Sequence, residues 1–309
     1  MLELTYKNHF KFGFNGVPFS RRSSAQDVWF AEFGQIERQP GSFKDECIAT
    51  AKLIAERAPA PLWLLFSGGI DSEVMLHSFV AAGVPFNVAI NRFARDLNIH
   101  DVSYAVIACE SLGVSYKIFE LDIEDFWRTK FLDYIYKTDC CWPALTSTMW
   151  LMEQVPGYPV LGSGECFLEK VVPAGYVPGE SPYDPSDWFL RERERIASWY
   201  RFLQAIDKPG CAGFYQYTPE FILSFLQDPL IKDLTSSKIV GKLTTQSSKA
   251  KFYAQHFDLL PRTKYSGFEK VNSLNLYYQD IARKHFPHHD QIQKMHYSGL
   301  VQHLRGNLE

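Results

Sequence analysis

Short apolar runs alternate with helical periodicities through the middle of the chain. Residues 62–66 form a continuous apolar run, which is typical of a strand buried on both faces of a parallel sheet. Three further strands are predicted at residues 86–90, 116–121 and 158–161. Between the runs, the apolar positions follow a helical spacing. Strands that alternate with helices indicate parallel βαβ units, so the pattern predicts an α/β fold built on a parallel sheet.

The spacing of apolar residues also locates the helices. One helix is predicted over residues 71–80, and Gly83 is expected to stop it. Others are predicted over residues 101–112 and 145–153, and a helix at 43–57 precedes the first strand. These helices would supply the layers that cover a parallel sheet.

The two ends of the chain have different patterns. Residues 2–18 alternate between apolar and other residues, which predicts a β-ribbon with a turn near Asn8 and His9. From Pro173 onward prolines cluster, and the remaining sequence has the spacing of helices rich in aromatic residues. We therefore expect an N-terminal β-ribbon and helix at 1–57, an α/β domain at 58–174, and a mostly helical substrate-side region at 175–309.

The overall charge is close to neutral. Lys and Arg number 32 against 35 Asp and Glu, which gives a net charge of −3. No strong basic patch is visible, so nucleic acid is a possible partner that the charge does not indicate. The longest charged run, residues 191–195, alternates in sign and predicts an exposed helix face with ion pairs.

Cysteine spacing and hydropathy bear on the cellular setting. The six cysteines lack the spacing of a disulfide scaffold, and no apolar export segment or run of membrane-spanning length occurs. We therefore expect a reducing, cytoplasmic setting and no membrane partner. Adjacent Cys140 and Cys141 are interpreted as buried small residues. A solvated surface is expected for the C-terminal histidines, which are His285, His288, His289, His296 and His303.

The residues between the first predicted strand and its helix read Ser-Gly-Gly-Ile-Asp-Ser, from Ser67 to Ser72. A glycine turn that enters a helix directs backbone N–H groups and the positive helix end at one point, where phosphate binds well. Gly68 and Gly69 allow a close approach, and the two serines add hydroxyl donors. Asp71 beside a polyphosphate implies a bridging Mg²⁺. The alternative is an ordinary turn in which serine and aspartate cap the helix.

This loop lacks the lysine of a Walker motif, which weakens a kinase or motor interpretation. Its sequence resembles the signature of the PP-loop ATP pyrophosphatase superfamily, whose members have an adenine nucleotide alpha hydrolase-like fold. The resemblance implies that ATP is cleaved to AMP and pyrophosphate through an adenylated intermediate, with Mg²⁺. It also implies that Ser67, Gly68, Gly69, Asp71 and Ser72 contact ATP. The end of the second strand, near Ile90, would then lie against the adenine.

A second stretch, at residues 160–169, runs from the fourth strand into Gly-Ser-Gly-Glu. It resembles the synthetase domain of asparagine synthetase and β-lactam synthetase, and the likeness extends over roughly residues 58–270. Glu165 takes the position of the family's first glutamate, where a carboxylate at the end of a parallel strand can orient an amine or act as a base. Ser163 and Gly164 would contact the nucleotide. The alternative is that Glu165 caps a following helix.

The same stretch departs from the family pattern at its end. Leu168 stands where the family has an aspartate that helps to hold Mg²⁺. Metal binding would therefore depend on Asp71 and Glu169. The departure leaves open an ATP-binding protein with a decayed active site.

A third stretch, residues 260–268, resembles the family's Arg-x-Lys element, in which the lysine acts at the reacting centre. The resemblance assigns Lys264 to stabilise negative charge as the transition state forms. An exposed lysine in a basic loop is the alternative. Lys249, Lys251 and Arg262 are nearby candidates for binding phosphate instead.

The resemblance excludes one part of asparagine synthetase. That enzyme obtains ammonia from an N-terminal glutaminase domain whose nucleophile is a cysteine at position 2, and this sequence has Leu2 there. We therefore expect an AMP-forming ligase without glutaminase activity, which joins a small-molecule or peptide substrate to an amine or ammonia. The alternative within the superfamily is an enzyme that activates a nucleobase, a nucleotide or tRNA for modification. Sulfur insertion is disfavoured because no Cys-x-x-Cys element occurs.

Overall fold

The computed structural model describes residues 2–170, 188–236, 243–244, 249–262, 268–287 and 290–306. Its strands, in chain order, are β1 (Lys11–Phe14), β2 (Val17–Pro18), β3 (Trp29–Glu32), β4 (Leu62–Leu65), β5 (Asn87–Phe93), β6 (Tyr116–Leu121), β7 (Tyr158–Leu161), β8 (Leu168–Lys170), β9 (Trp188–Arg193), β10 (Leu243–Thr244) and β11 (Ile292–His296). Its helices are α1 (Phe43–Arg57), α2 (Ile70–Ala82), α3 (Ile99–Ser111), α4 (Ile123–Thr138), α5 (Pro143–Gln154), α6 (Ala197–Ala205), α7 (Pro219–Gln227), α8 (Pro229–Ser236), α9 (Lys249–Ala254), α10 (Asn272–His285) and α11 (Tyr297–Arg305).

The centre of the fold is a four-stranded sheet in the order β6-β5-β4-β7, in which every neighbouring pair is parallel. Strand β4 lies between β5 and β7, and Leu64 pairs with Val88 on one side and with Val160 on the other. These three side chains are buried, which explains why the strands are apolar where they pair. The predicted α/β fold with a parallel sheet is confirmed, and all four predicted strands are present.

The predicted helices are also present, within a few residues at each end. Ser42 and Asp45 form a reciprocal capping box at the start of α1. Gly83 adopts a left-handed conformation with φ 66° at the end of α2, as expected for a helix stop. The apolar pattern did not indicate α4, whose buried face packs against α6 and α5.

The N-terminal strands form an antiparallel sheet in the order β2-β1-β3. The chain turns near Asn8 and His9 as predicted, but this turn comes before β1 and is not the turn of the β-ribbon. Asn8 accepts a hydrogen bond from the Leu4 N–H (2.8 Å) and ends a short 3₁₀ turn. The hairpin turns at Asn15 and Gly16, which both have positive φ (53° and 76°), as a tight two-residue turn requires.

A second antiparallel sheet, in the order β10-β8-β9-β11, joins β8 to strands from the C-terminal part of the chain. The prediction of an exposed helix face at residues 191–195 is wrong, since residues up to Arg193 belong to β9 and Glu194 begins a 3₁₀ turn. A run of alternating charges can also form a strand, because every second side chain then faces the interior and can be paired there. Glu192 and Glu194 are buried here, and Arg191 is ion-paired with Glu169 at 2.7 Å.

Cysteines and histidines lie as the sequence indicates. All six cysteines are buried, Cys140 and Cys141 among them. His285, His296 and His303 are exposed, whereas His288 and His289 lie outside the described residues. Over the part of the chain that the structure describes, the helices are too short or too polar to cross a bilayer.

Candidate functional site

The loop from Ser67 to Ser72, which the sequence predicts to bind phosphate, connects β4 to α2 at the carboxyl edge of the parallel sheet. Gly68 has φ +78°, and a Cβ atom there would lie 2.1 Å from the carbonyl oxygen of Asp101. Glycine is therefore required at this position for both its conformation and its size. Gly69 is the N-cap residue of α2, and no side chain caps the helix there. The Gly69 N–H donates to the Ser67 hydroxyl at 3.3 Å, and a helix start of this kind suits an anion.

The two serines of the loop hold it together. Ser72 donates a hydrogen bond to the Gly69 carbonyl (2.8 Å), and its hydroxyl lies 3.0 Å from that of Ser67. Ser67 is exposed, whereas Ser72 is buried. The loop also packs tightly against the end of β7, because a Cβ atom on Gly162 would lie 2.9 Å from the Ser72 Cα. The loop is thus shaped before any ligand binds.

Two carboxylates and one lysine meet at this edge. The Lys249 ammonium group donates to Asp71 Oδ2 at 2.7 Å and to Glu165 Oε1 at 3.0 Å. Asp71 comes from the first turn of α2, Glu165 from the segment that follows β7, and Lys249 from the start of α9. The carboxyl ends of β4 and β7 lie side by side, which brings the two acids together. The Lys249 side chain is only 13% exposed, so the ion pairs are well shielded from water.

Two tyrosines complete the surroundings of Asp71. Tyr253 donates to Asp71 Oδ1 (2.9 Å), and Tyr215 donates to the Asp71 carbonyl (2.7 Å). Lys249 and Tyr253 are four residues apart in α9, so both lie on the same side of the helix. Burial, together with the Asp71 charge, holds the pKa of both phenols well above the ordinary value. Both tyrosines are therefore hydrogen-bond donors at neutral pH.

The electrostatics of the site follow from its burial. Desolvation, reinforced by the neighbouring Asp71, raises the pKa of Glu165. Desolvation alone would lower the pKa of Lys249, but Asp71 and Glu165 outweigh it, so that pKa lies above the ordinary value. Lys249 therefore stays charged, and a carboxylate with a raised pKa lies next to it. Such a carboxylate is suited to proton transfer.

Arg262 has a structural partner. Its guanidinium group pairs with Glu73 of α2 and donates to the Gly68 carbonyl. Glu73 is 1% exposed and also accepts from the Leu260 N–H (3.0 Å). Arg262 thus fixes the underside of the loop, while Lys264 lies outside the described residues.

The other predicted site residues lie in the sheets or close to them. Ile90 is buried within β5, opposite Ile118 of β6. Ser163 is buried and donates to the Ala212 carbonyl at 2.5 Å. Gly164 has φ +83°, and Gln216 packs against it so closely that a side chain would collide. Their assigned contacts with ATP stay predictions.

Glu169 and Leu168 lie in β8, which pairs with β9. The Glu169 carboxylate lies 2.7 Å from Arg191 and 3.2 Å from Lys294. Leu168 is completely buried and pairs with Leu190. Glu169 as a metal ligand stays a prediction; the carboxylate that shares a cation with Asp71 is Glu165.

Sequence reasoning missed several residues of the site. It named Lys249 only as an alternative phosphate ligand, and it did not name Tyr215, Tyr253 or Glu192. The four-residue spacing of Lys249 and Tyr253 was a usable signal for a shared helix face. The sequence offered little indication of Glu192, because the alternation of Arg and Glu around it fits an exposed helix as well as a strand.

Comparisons with known proteins give only partial similarity. No family model matches the sequence, and no curated protein matches it significantly. The glutamine-dependent NAD+ synthetase from Acinetobacter baumannii, solved with ADP, matches 44% of this chain at 16% identity with a TM-score of 0.28. This chain spans 30% of that enzyme's length.

Two other solved structures match over a larger part of the chain. The NMN synthetase from Francisella tularensis matches 80% of this chain and 96% of its own, at 11% identity with a TM-score of 0.30. The NH3-dependent NAD synthetase from Campylobacter jejuni, in complex with nitrate, matches 79% of this chain and 96% of its own. The identity is 12% and the TM-score is 0.32. Similarity at this level identifies no activity for the present chain.

Proposed function

We propose that this chain is an ATP pyrophosphatase of the PP-loop type, an AMP-forming ligase that adenylates one substrate for attack by an amine. The observation that carries the proposal is the meeting of Asp71, Lys249 and Glu165 beside the N-terminus of α2. A phosphate-binding turn supplies the nucleotide site, and two acids and one lysine supply the reacting groups. An ordinary strand-to-helix turn needs no such convergence.

The triphosphate binds at the loop. The N-terminus of α2 offers backbone donors to its oxygens, and the exposed Ser67 hydroxyl can turn toward them. Gly68 is held in its left-handed conformation, which keeps the loop backbone free of a side chain at the point of closest approach. Arg262 supports the loop from below through the Gly68 carbonyl. This arrangement favours binding of phosphate groups rather than of an uncharged ligand.

The residues also fit a divalent cation. The Lys249 ammonium group shows that a cation can be held between Asp71 and Glu165 at hydrogen-bonding distance from both. Mg²⁺ typically takes one or two protein carboxylates and several phosphate oxygens, so two acids suffice. Over the described residues, no larger group of His, Cys, Asp and Glu is gathered for a metal. When bound, Mg²⁺ would neutralise charge on the phosphates.

The chemistry then has two steps. A carboxylate or amide oxygen of the first substrate attacks the α-phosphorus, the bond to the β-phosphate breaks, and pyrophosphate leaves. An amine or ammonia next attacks the adenylated carbon, Glu165 accepts its proton, and AMP leaves with the bridging oxygen. Lys249, released from Asp71, is placed to stabilise negative charge on the α-phosphate and on the attacked carbon. Lys264 is a second candidate for that role on the resemblance alone.

The resemblance to asparagine synthetase supports amide formation as the outcome. The position of Glu165 at the end of β7 agrees with a carboxylate that orients an amine. The expected substrates are a small molecule or peptide together with an amine or ammonia donor.

The proposal is tested with Mg²⁺ and ATP over a panel of carboxylic acids and amines. Formation of AMP and pyrophosphate in equal amounts supports it, and Asp71→Asn should abolish both products. Release of ADP and phosphate would contradict it. Tight ATP binding with no products over the whole panel would favour an ATP-binding protein with a decayed site, and products that require a nucleoside or tRNA would favour a modification enzyme.

A further inference from the structure

Two narrow cavities adjoin the reacting groups of the candidate site. Glu165, Cys166, Phe225 and Tyr253 line both of them, and Lys249 lines only the first. Each has a volume of about 10 Å³ and is largely enclosed. Protein interiors contain few voids, so two that share their walls beside a carboxylate and an ammonium group need a reason. We treat the pair as one apolar recess with two lobes.

The walls of the apolar recess are aromatic. Phe225 of α7 and Phe252 of α9 have ring centroids 5.0 Å apart. The rings of Phe43, Tyr215 and Tyr253 lie within 19° of parallel, with centroids 5.9–6.5 Å apart. Rings packed in this way hold one another in position. The recess is therefore a built part of the core and not a dent in the surface.

The charges around the recess are already paired. Among the described residues that line it, the charged ones are Glu165 and Lys249, which lie 3.0 Å from each other. The remaining lining is the Cys166 thiol and aromatic or aliphatic side chains, and its two tyrosine hydroxyls donate to Asp71. A second charged group on a ligand would be buried here without a partner, which is costly. The recess therefore suits an uncharged, apolar group.

The recess begins where the first substrate of the proposed reaction would be held. That substrate is an acid, and Lys249 is the residue placed to face its carboxyl group during adenylation. We propose that the recess binds the tail of this acid, so that the substrate is a short monocarboxylic acid with an aliphatic tail. This inference rests on the function proposed above and names its substrate class. Dicarboxylic acids and amino acids are disfavoured, because they carry a further charge.

The volume of the recess limits the length of the tail. Each lobe has about the space that one water molecule needs, and a methyl group is little larger. Release of Lys249 from Asp71 and Glu165, as the proposed reaction requires, would also move part of the wall of the first lobe. We therefore expect a tail of about two or three carbons.

The experiment measures pyrophosphate release from Mg²⁺ and ATP, with ammonia and with acids that differ at the tail. Propanoate and butanoate should have a kcat/KM at least about tenfold above that of succinate or aspartate, because the latter bury an unpaired charge. Succinate or aspartate as the best acid overturns the proposal.

Two variants alter the recess away from the reacting groups. Phe225→Leu widens both lobes and should move the preferred acid to a tail about one or two carbons longer. Ile231→Phe fills the first lobe, where Ile231 is 2% exposed, and should lower kcat/KM for butanoate by about tenfold or more. Phe257→Leu is the matched control, because Phe257 is 7% exposed, against 8% for Phe225, and lines neither lobe. It should keep the wild-type preference, and the same preference in all three variants overturns the proposal.

A binding measurement separates this proposal from the enzymatic one. Ligand-observed NMR, with an ATP analogue whose α–β bridge cannot be cleaved, should show butanoate bound to wild type and to Phe257→Leu but not to Ile231→Phe. If this pattern is found and AMP and pyrophosphate never form, the enzymatic function fails and the recess stands. If AMP and pyrophosphate form while butanoate binds to all three proteins alike, the function stands and the recess proposal is overturned. Absence of butanoate binding to wild type also overturns it.

Discussion

The Lys249 ammonium group lies 2.7 Å from Asp71 Oδ2, although 178 residues separate the two along the chain. Under the proposed function, Lys249 occupies the place beside Asp71 that a divalent cation would take with a bound polyphosphate. It also bridges to Glu165, the only other carboxylate that the described structure shows on this ammonium group. The relationship joins the loop after β4 to the acid that follows β7. It makes α9 part of the candidate site.

Removal of the Lys249 charge should impair catalysis. Lys249→Met keeps much of the side-chain volume, removes the donor, and should lower kcat for pyrophosphate formation by about a hundredfold or more. Lys251→Ala, an exposed change in the same helix, is the control and should leave kcat within about twofold. Equal effects of the two variants would mean that Lys249 has no special role.

Gly68 and Gly69 should respond very differently to alanine. Gly68→Ala introduces a Cβ atom 2.1 Å from the Asp101 carbonyl at a residue with φ +78°, so it should reduce the free energy of unfolding by at least about 2 kcal/mol. Gly69 has φ −77°, and a Cβ atom there would meet only the exposed Ser67 hydroxyl, at 3.3 Å, so Gly69→Ala should cost about 1 kcal/mol. Urea unfolding of both variants measures the difference. Similar losses would show that the loop relaxes around position 68.

Arg262 and Glu73 form a buried ion pair beneath the loop, with side chains 8% and 1% exposed. Arg262→Met should reduce the free energy of unfolding by about 3–5 kcal/mol, because Glu73 would be left buried without its cation. The double variant Arg262→Met/Glu73→Gln should recover a large part of that loss. Arg128→Met, which breaks an exposed pair with Asp125, should cost no more than about 1 kcal/mol. Additive losses in the double variant would contradict the pairing.

Stability should fall with rising pH through Glu192. Its pKa in the folded protein is about 8, above the ordinary value of 4.5, so the folded protein binds one more proton than the unfolded chain between these values. Because burial raises this pKa, the stabilisation that protonated Glu192 contributes is fully present below pH 4.5 and is lost as the pH rises through about 8. Across this window it should lower the free energy of unfolding by about 1.4 kcal/mol per pH unit. Denaturant unfolding of wild type and Glu192→Gln at several pH values gives the difference, and parallel curves would contradict the protonation.

The sequence was sufficient for the parallel sheet because local information specifies it. A continuous apolar run such as 62–66 can only be buried on both faces, and the glycine at position 83 stops a helix by its own conformation. The loop at Ser67 was recognisable for the same reason, since its residues are adjacent in the chain. Features of this kind need no knowledge of distant partners.

The remainder depended on contacts that no local pattern specifies. Lys249 reaches Asp71 from far along the chain, and its neighbour Lys251 has the same charge and no such role in the structure. The charged run ending at Arg195 was assigned to a solvated helix because buried pairing of Glu192 with Gln216 cannot be seen from either residue alone. Buried polar partners decide such cases, and they become visible only in three dimensions.

The most direct test of the central claim is a crystal structure with Mg²⁺ and an ATP analogue whose α–β bridge cannot be cleaved. The phosphates should lie against Gly68, Gly69 and the N-terminus of α2, with the cation at Asp71. The Lys249 ammonium group should have left Asp71 and should lie within hydrogen-bonding distance of the α-phosphate. Nucleotide bound elsewhere, or bound at the loop with Lys249 still paired to Asp71 and Glu165, would contradict the account.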